Sequence, residues 1–401
     1  MYIHIYARNI LLILLVVYSY LSMTSSEGSI FSRGSIILIL VISTFYFINT
    51  FFATGKKTFL YNAWSFLLII NIVGFILTAN YFDTQHYGMF LSILATLTPF
   101  YPIYYFSKYG LIKSKHLVWF MIAMIPIAIL GFYSNQAEII SSGPRTVDNV
   151  INNMAYVFVR LMPFVFLIRK RKSLSVLLMA IMMIFIILSA KRGALISGVL
   201  ILIMFFYDLL STMQKKNKTT GYIIVLTSIS MLCFLAYHFF MQNEYLIIRL
   251  MNLAEGNSSG RDRIWSAIFN SWYGDGNFLT FILGHGFAAS LVITDGYYAH
   301  NDWLELISNF GLVGAVTYLA LILSAIRLSF NKNLPFEQRI LMKTVVGIWL
   351  FISLVSMWYT NMYGYLQSIL LAFVVGNHSN LTSGSENILS ENSLNSKITS
   401  N

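Results

Sequence analysis

A chain of 401 residues that is 57% hydrophobic, 16% aromatic and only 10% charged falls far below the roughly 25% charge of a soluble domain, so an aqueous globular fold is excluded and a bilayer is the expected solvent. The formal charge of +11 does not indicate a nucleic-acid partner, because the cations sit mostly in short loops between apolar runs. The single cysteine, Cys233, lies inside an apolar run and excludes both an intrachain disulfide and a cysteine-based metal site.

About twelve apolar runs, near the roughly 20 residues needed to cross about 30 Å of hydrocarbon, recur along the chain. In order they are Ile10 to Met23, Ser35 to Ala53, Phe59 to Ala79, Tyr87 to Phe106, Leu117 to Tyr133, Asn153 to Ile168, Leu174 to Ala190, Ala194 to Leu210, Tyr222 to Met241, Trp303 to Leu328, Leu341 to Trp358 and Met362 to Gly376. The expectation is an all-α, polytopic membrane protein of about 12 transmembrane helices, with one long periplasmic loop carrying short helices. Residues 1–241 hold the first nine helices, 242–302 the loop, 303–376 the last three, and 377–401, rich in Ser and Asn, a disordered cytoplasmic tail.

Cationic clusters follow every second run: Lys56 and Lys57; Lys108, Lys113 and Lys115; Arg169 to Lys172; Lys215, Lys216 and Lys218; and Arg327, Lys332, Arg339 and Lys343. This alternation is the positive-inside pattern, and it predicts both termini in the cytoplasm with the 242–302 loop on the opposite face. The first run lacks a small-residue cleavage site, so no cleavable signal peptide is expected.

A few cations break the pattern. Lys191 and Arg192 occupy the tight turn SAKRGA on the non-cytoplasmic side. They either snorkel to headgroups or bind an anionic group at the membrane surface. Arg160 lies within the sixth run, in AYVFVRLMPF. A central arginine costs about 2.5 to 3.5 kcal/mol to insert, so it is expected either to form a buried ion pair or to bind substrate. Arg261 and Arg263, in SGRDRIW, are either solvated or positioned to take phosphate in a bidentate fork. Trp265 and Trp272 nearby offer flat faces for sugar rings or serve as interface anchors.

The loop returns to the membrane through AHNDWLELI. Asp302 reads as a helix N-cap and Glu305, three residues on, as its capping-box partner. That leaves His300 and Asn301 without a capping role. An imidazole with an ordinary pKa of about 6.5 can take a proton from a hydroxyl near neutrality, and the helix N-terminus beside it favours a phosphate-bearing substrate. In LGHGF, the glycines flanking His285 signal a tight turn. The chain has no HExxH, Walker A loop or Asp-rich pattern, so neither metal nor cofactor is expected.

With SAKRGA (Ser189 to Ala194), SGRDRIW (Ser259 to Trp265), LGHGF (Leu283 to Phe287) and HNDWLELISNFGLVG (His300 to Gly314) in this order, the second half of the chain resembles the O-antigen polymerase and O-antigen ligase superfamily. These are integral glycosyltransferases of the cell inner membrane. The resemblance implies an undecaprenyl-diphosphate-linked oligosaccharide as substrate, a periplasmic active site, and a chain-length regulator and a flippase as partners. It likens Arg192 to the arginine of the family's serine-arginine-glycine turn, Arg261 to its loop arginine, and His300 to its catalytic-loop histidine. Lys191 has no counterpart there, and Arg263 is the alternative to Arg261 if the register differs. Arg160, Asn301 and Trp265 remain further substrate-binding candidates. The HNDWLEL form favours a polymerase. A ligase acting on lipid A core or protein, or a non-enzymatic flippase or transporter, remains the alternative.

Overall fold

An unpaired backbone amide in hydrocarbon costs several kcal/mol, which restricts spanning chains to helices and closed barrels. A computed structural model describes residues 2–24, 30–54, 57–142, 151–168, 171–212, 218–242, 251 and 260–380, and all regular structure among the described residues is helical. Ten helices precede the loop: α1 (Tyr2–Thr24), α2 (Ile30–Phe52), α3 (Phe59–Thr78), α4 (Thr84–Leu97), α5 (Phe100–Lys108), α6 (Ser114–Ser141), α7 (Ala155–Leu161), α8 (Lys172–Leu188), α9 (Arg192–Thr212) and α10 (Lys218–Gln242). The loop carries α11 (Arg261–Gly274), α12 (Phe278–Leu283) and α13 (Ala289–Ile293). Then come α14 (Asp302–Ser329), α15 (Phe336–Val355) and α16 (365–380).

The expected twelve spans resolve into 8 helices long and apolar enough to cross a membrane, among the described residues: α1, α2, α3, α4 continued by α5, α6, α9, α14 and α15. Of the other apolar runs, Tyr222 to Met241 lies in the 25-residue α10 and Leu174 to Ala190 largely in the 17-residue α8, and the remaining two form shorter helices joined to 3-10 turns. Pro163 lacks an amide and its ring crowds the preceding turn, so α7 gives way to the 3-10 turn Met162–Leu167. In the same way the last run starts as the 3-10 turn Met362–Gly364 before α16. That helix reaches residue 380, past Gly376, where the disordered tail is expected to begin. Residues 381–401, loop residues 243–250 and 252–259, and the cluster members Lys56, Arg169, Lys170, Lys215 and Lys216 lie outside the described residues.

Contacts between helix termini define two ends. One end gathers the α2–α3 and α5–α6 turns, with Arg8 of α1 donating to the Leu111 carbonyl and Lys172 Nζ donating to Thr212 Oγ1 at 3.0 Å. The described members of the cationic clusters lie toward this end. Along the bundle α1 packs against α6, and α14 against α3 and α15; at the other end the α8–α9 turn meets the start of α7 through Asn152 N donating to the Ser189 carbonyl at 3.0 Å. Lipid offers no hydrophobic drive between helices, so packing and hydrogen bonds hold them. The interior is accordingly aromatic: Trp349 stacks on Trp358 at 4.4 Å and donates to Tyr318 Oη at 2.7 Å.

Candidate functional site

The entry into α14 departs from the expected capping. Asn301 is the N-cap: its Oδ1 accepts from Trp303 N at 2.9 Å and Leu304 N at 3.2 Å, and its Nδ2 donates to the Leu354 carbonyl at 3.1 Å. One side-chain oxygen therefore satisfies amides that a helix start leaves unpaired, so Asn301 has a structural role, and it also lines a groove with Trp265 and Trp303. Asp302 and Glu305 do not cap; both are fully buried. Asp302 accepts from Trp358 N at 3.0 Å and from Tyr318 Oη at 2.7 Å. Glu305 accepts from Ala299 N at 2.8 Å and from the Ser290 hydroxyl. A buried carboxylate is tolerated only when bonded in this way.

These bonds pin the residues on both sides of His300, which itself takes φ +51°. The left-handed region costs a non-glycine residue roughly 1 to 2 kcal/mol. Ala190, Ala288 and Asp295 also adopt it, and all four positions lie in turns at this one end, the clustering that strained functional regions display. Behind them, His285 N and Gly286 N donate to the carbonyls of Ser308 and Asn309 at 2.8 and 3.1 Å. Gly284 and Gly311, both at positive φ, let the two backbones touch: a Cβ on Gly284 would lie 2.5 Å from the Asn309 carbonyl carbon. The turn expected at LGHGF is thus also a backbone-to-backbone lock that holds the loop on α14. The His285 ring, 3.2 Å from Ser271 Oγ, fastens α11 to the same lock.

Onto this frame the fold brings cations from distant parts of the sequence. Arg261 opens α11 and donates through Nη1 to the Val355 carbonyl at 2.6 Å, using one of its five donors to finish α15. Lys191 Nζ donates to Asn153 Oδ1 at 2.8 Å and lies 5.9 Å from the Tyr156 ring centroid. Arg192, the next residue, opens α9. Desolvation by surrounding protein atoms, followed by the positive charges of Arg261 and Lys191, pushes the His300 pKa down to about 4, although the residue itself is exposed at the surface. His300 is therefore neutral at pH 7 and a weaker base than its ordinary pKa implies. Arg263 is exposed and lies roughly 200° around α11 from Arg261, so the two do not act from one face.

Arg160 does not form the ion pair considered from sequence. It is 1% exposed and held by neutral acceptors, Asn361 Oδ1 at 2.7 Å and the Met357 carbonyl at 3.1 Å. Five residues into α7, it lies roughly 8 Å from the helix start, near the middle of the apolar helical stretch Ala155–Leu167. It lines a cavity of about 790 Å³ together with Asn153, Tyr156, Tyr298 and Asn361, and Asn153 is the residue that Lys191 contacts. Trp265 donates to the Ala299 carbonyl at 2.8 Å and lines a separate groove of about 450 Å³ with Trp303 and Leu354. Trp272 is stacked on Phe281 at 4.9 Å, which occupies one of the faces expected to receive a sugar.

Sequence reasoning missed Asn153, Tyr156 and Asn361. The interruption WYTNMYG between the last two apolar runs was the available signal for Asn361. Nothing local marks the other two, because they border a run that otherwise reads as ordinary span.

The geometry defines a multi-pass helical membrane protein whose oriented cations, histidine and polar cavity of about 790 Å³ share one end of the bundle. Residues 174–319, from α8 into α14, match the family model described as O-antigen ligase, a likeness that supports the O-antigen ligase and polymerase superfamily, whose members are glycosyltransferase-like membrane enzymes. The matched segment includes Lys191, Arg192, Arg261 and His300; Arg160 and Asn361 fall outside it. A search of curated proteins finds no match to the chain.

Proposed function

We propose that the protein is a surface-polysaccharide polymerase that joins undecaprenyl-diphosphate-linked repeat units at the periplasmic face of the inner membrane, with inversion at the anomeric carbon. The observation that carries this reading is geometric: Arg261 donates to the Val355 carbonyl and Asn301, the neighbour of His300, to the adjacent Leu354 carbonyl, while Lys191 is held on Asn153 at the same end of the bundle.

The acceptor hydroxyl oxygen attacks the anomeric carbon, and the bond from that carbon to the diphosphate oxygen breaks with its electron pair leaving on the diphosphate. Arg261, Arg192 and Lys191 stabilise the departing charge, as preorganised donors in a partly dehydrated site do. His300 takes the hydroxyl proton. A diphosphate seated against Arg261 and Lys191 offsets their charge and raises the basicity of His300, so the base gains strength once the donor is bound.

A ligase that transfers finished glycan to lipid A core is the second reading, favoured by the description of the matched family model. Deletion of the gene followed by lipopolysaccharide electrophoresis separates the two. Core bearing a single repeat identifies a polymerase, and bare core identifies a ligase. Loss of externally displayed lipid-linked repeats identifies a flippase and refutes both readings. Complementation with Arg192→Ala, Arg261→Ala and His300→Ala is expected to fail; a wild-type ladder from all three sinks the residue assignment.

A further inference from the structure

The cavity of about 790 Å³ between α1, α2, α4, α6 and α7 has no part in the charge stabilisation and proton transfer just described, yet two of its polar groups are unsatisfied. Arg160 Nε is buried with no hydrogen-bond partner among the described residues, although the other arms of the guanidinium are bonded. Asn135 Oδ1, from α6, is likewise without a partner and lines the same cavity. Leaving such a group unmade is expensive, so the wall calls for a ligand that both accepts and donates hydrogen bonds.

A diphosphate at neutral pH accepts but has little to donate, and it would meet the Glu138 carboxylate in the same wall. A hydroxyl-bearing ring accepts from Arg160 and donates to Asn135. Tyr156, Tyr298 and Tyr363 add aromatic surface for the apolar face of such a ring. The cavity also adjoins the proposed reaction centre: Asn153 in its wall is bonded to Lys191, and Tyr298 is two residues from His300.

The geometry points to this cavity as a glycan subsite, in which Arg160 and Asn135 hold sugar hydroxyls of a substrate while its diphosphate lies outside, against Lys191 and Arg261. This assignment rests on the glycosyl-transfer reading above. It places binding residues in the first half of the chain, beyond the segment matched to the family.

The test uses the full chain in nanodiscs and two probes: the lipid-free repeat-unit oligosaccharide, released by mild acid from the lipid-linked pool of cells lacking the protein, and undecaprenyl diphosphate. Asn135→Ala, which removes no bond within the protein, is expected to weaken the oligosaccharide about 3- to 10-fold, the worth of one hydrogen bond. Arg160→Lys is expected to weaken it by about tenfold or more. Both variants should leave undecaprenyl diphosphate within about twofold, whereas Arg261→Ala weakens that probe. Thermal melting identifies a variant that misfolds, and Asn135→Ala alone then decides. Oligosaccharide binding unchanged in Asn135→Ala, or undecaprenyl diphosphate lost in Arg160→Lys, overturns the subsite; if Arg261→Ala still loses undecaprenyl diphosphate, the reaction-centre reading survives. A wild-type protein that binds no oligosaccharide also overturns the subsite, and one that binds neither probe overturns both ideas.

Discussion

The two ends of the bundle carry cations in different ways. At one end some lie over aromatic rings, Lys343 Nζ 4.4 Å from the Phe330 ring centroid and Arg339 5.9 Å from that of Phe336, and others, such as Lys172 on Thr212, reach a neutral oxygen. At the other end they are oriented by the fold. Arg160 is bonded to Asn361 and Met357, Arg261 to Val355, and Lys191 to Asn153. Neutral oxygens hold cations at both ends, but at the second end they hold them beside one histidine and one polar cavity, where a fixed charge can act on a substrate. The contrast explains why a positive-inside count finds the first group easily and shows the second only as exceptions.

The difference is open to direct attack. The largest effects are expected at the oriented end, where Arg261→Ala should lower turnover by about 10² to 10³-fold and His300→Ala by about 10² to 10⁴-fold, measured with purified lipid-linked repeat units. Turnover within twofold of wild type in both would reduce that end to scaffolding. Next comes the frame. Asp302→Ala strands Trp358 N and Tyr318 Oη in the interior, at about 1 to 3 kcal/mol for each unsatisfied group, and should appear as a lowered melting temperature in detergent.

Smaller still is the effect on pH dependence. Only neutral imidazole can accept the hydroxyl proton, so activity is present above the His300 pKa and lost as pH falls through it; kcat/KM should therefore fall only near pH 4. Lys191→Gln removes a charge that opposes protonation, so this acid limb should move upward, toward the ordinary histidine value of about 6.5. An unmoved limb would detach Lys191 from His300. The smallest effect belongs to the other end: Lys343→Ala should cost about 0.5 to 1 kcal/mol of stability and leave turnover unchanged, and a large loss of activity there would erase the distinction between the ends.

Much of the architecture was legible because it is local. The expected apolar runs are helical among the described residues, although Tyr87 to Phe106 divides between α4 and α5, since runs of apolar side chains and the need to pair backbone amides in lipid act residue by residue. Helix length was less legible: Pro163 and the 3-10 turn at Met362–Gly364 shorten two runs that hydropathy alone reads as full spans. The site was legible in part. SAKRGA, SGRDRIW and HNDWLEL pointed to Lys191, Arg192, Arg261 and His300, but the roles of neighbouring residues were exchanged. Asp302 looked like the cap because it precedes an apolar run, yet Asn301 takes that position. The reason lies 56 and 16 residues away, where Trp358 N and Tyr318 Oη engage Asp302.

Composition and the order of apolar and basic segments by themselves determined that this protein is helical, belongs in a bilayer and keeps its unusual polar residues in a few turns, because hydropathy and charge placement are summed along the chain. Tertiary structure alone decided which turns meet, that His300 is flanked by Arg261 and Lys191, that Asp302 and Glu305 are buried braces, and that Arg160 faces a polar cavity. Those outcomes depend on desolvation and on distances through space, which no spacing along the sequence encodes.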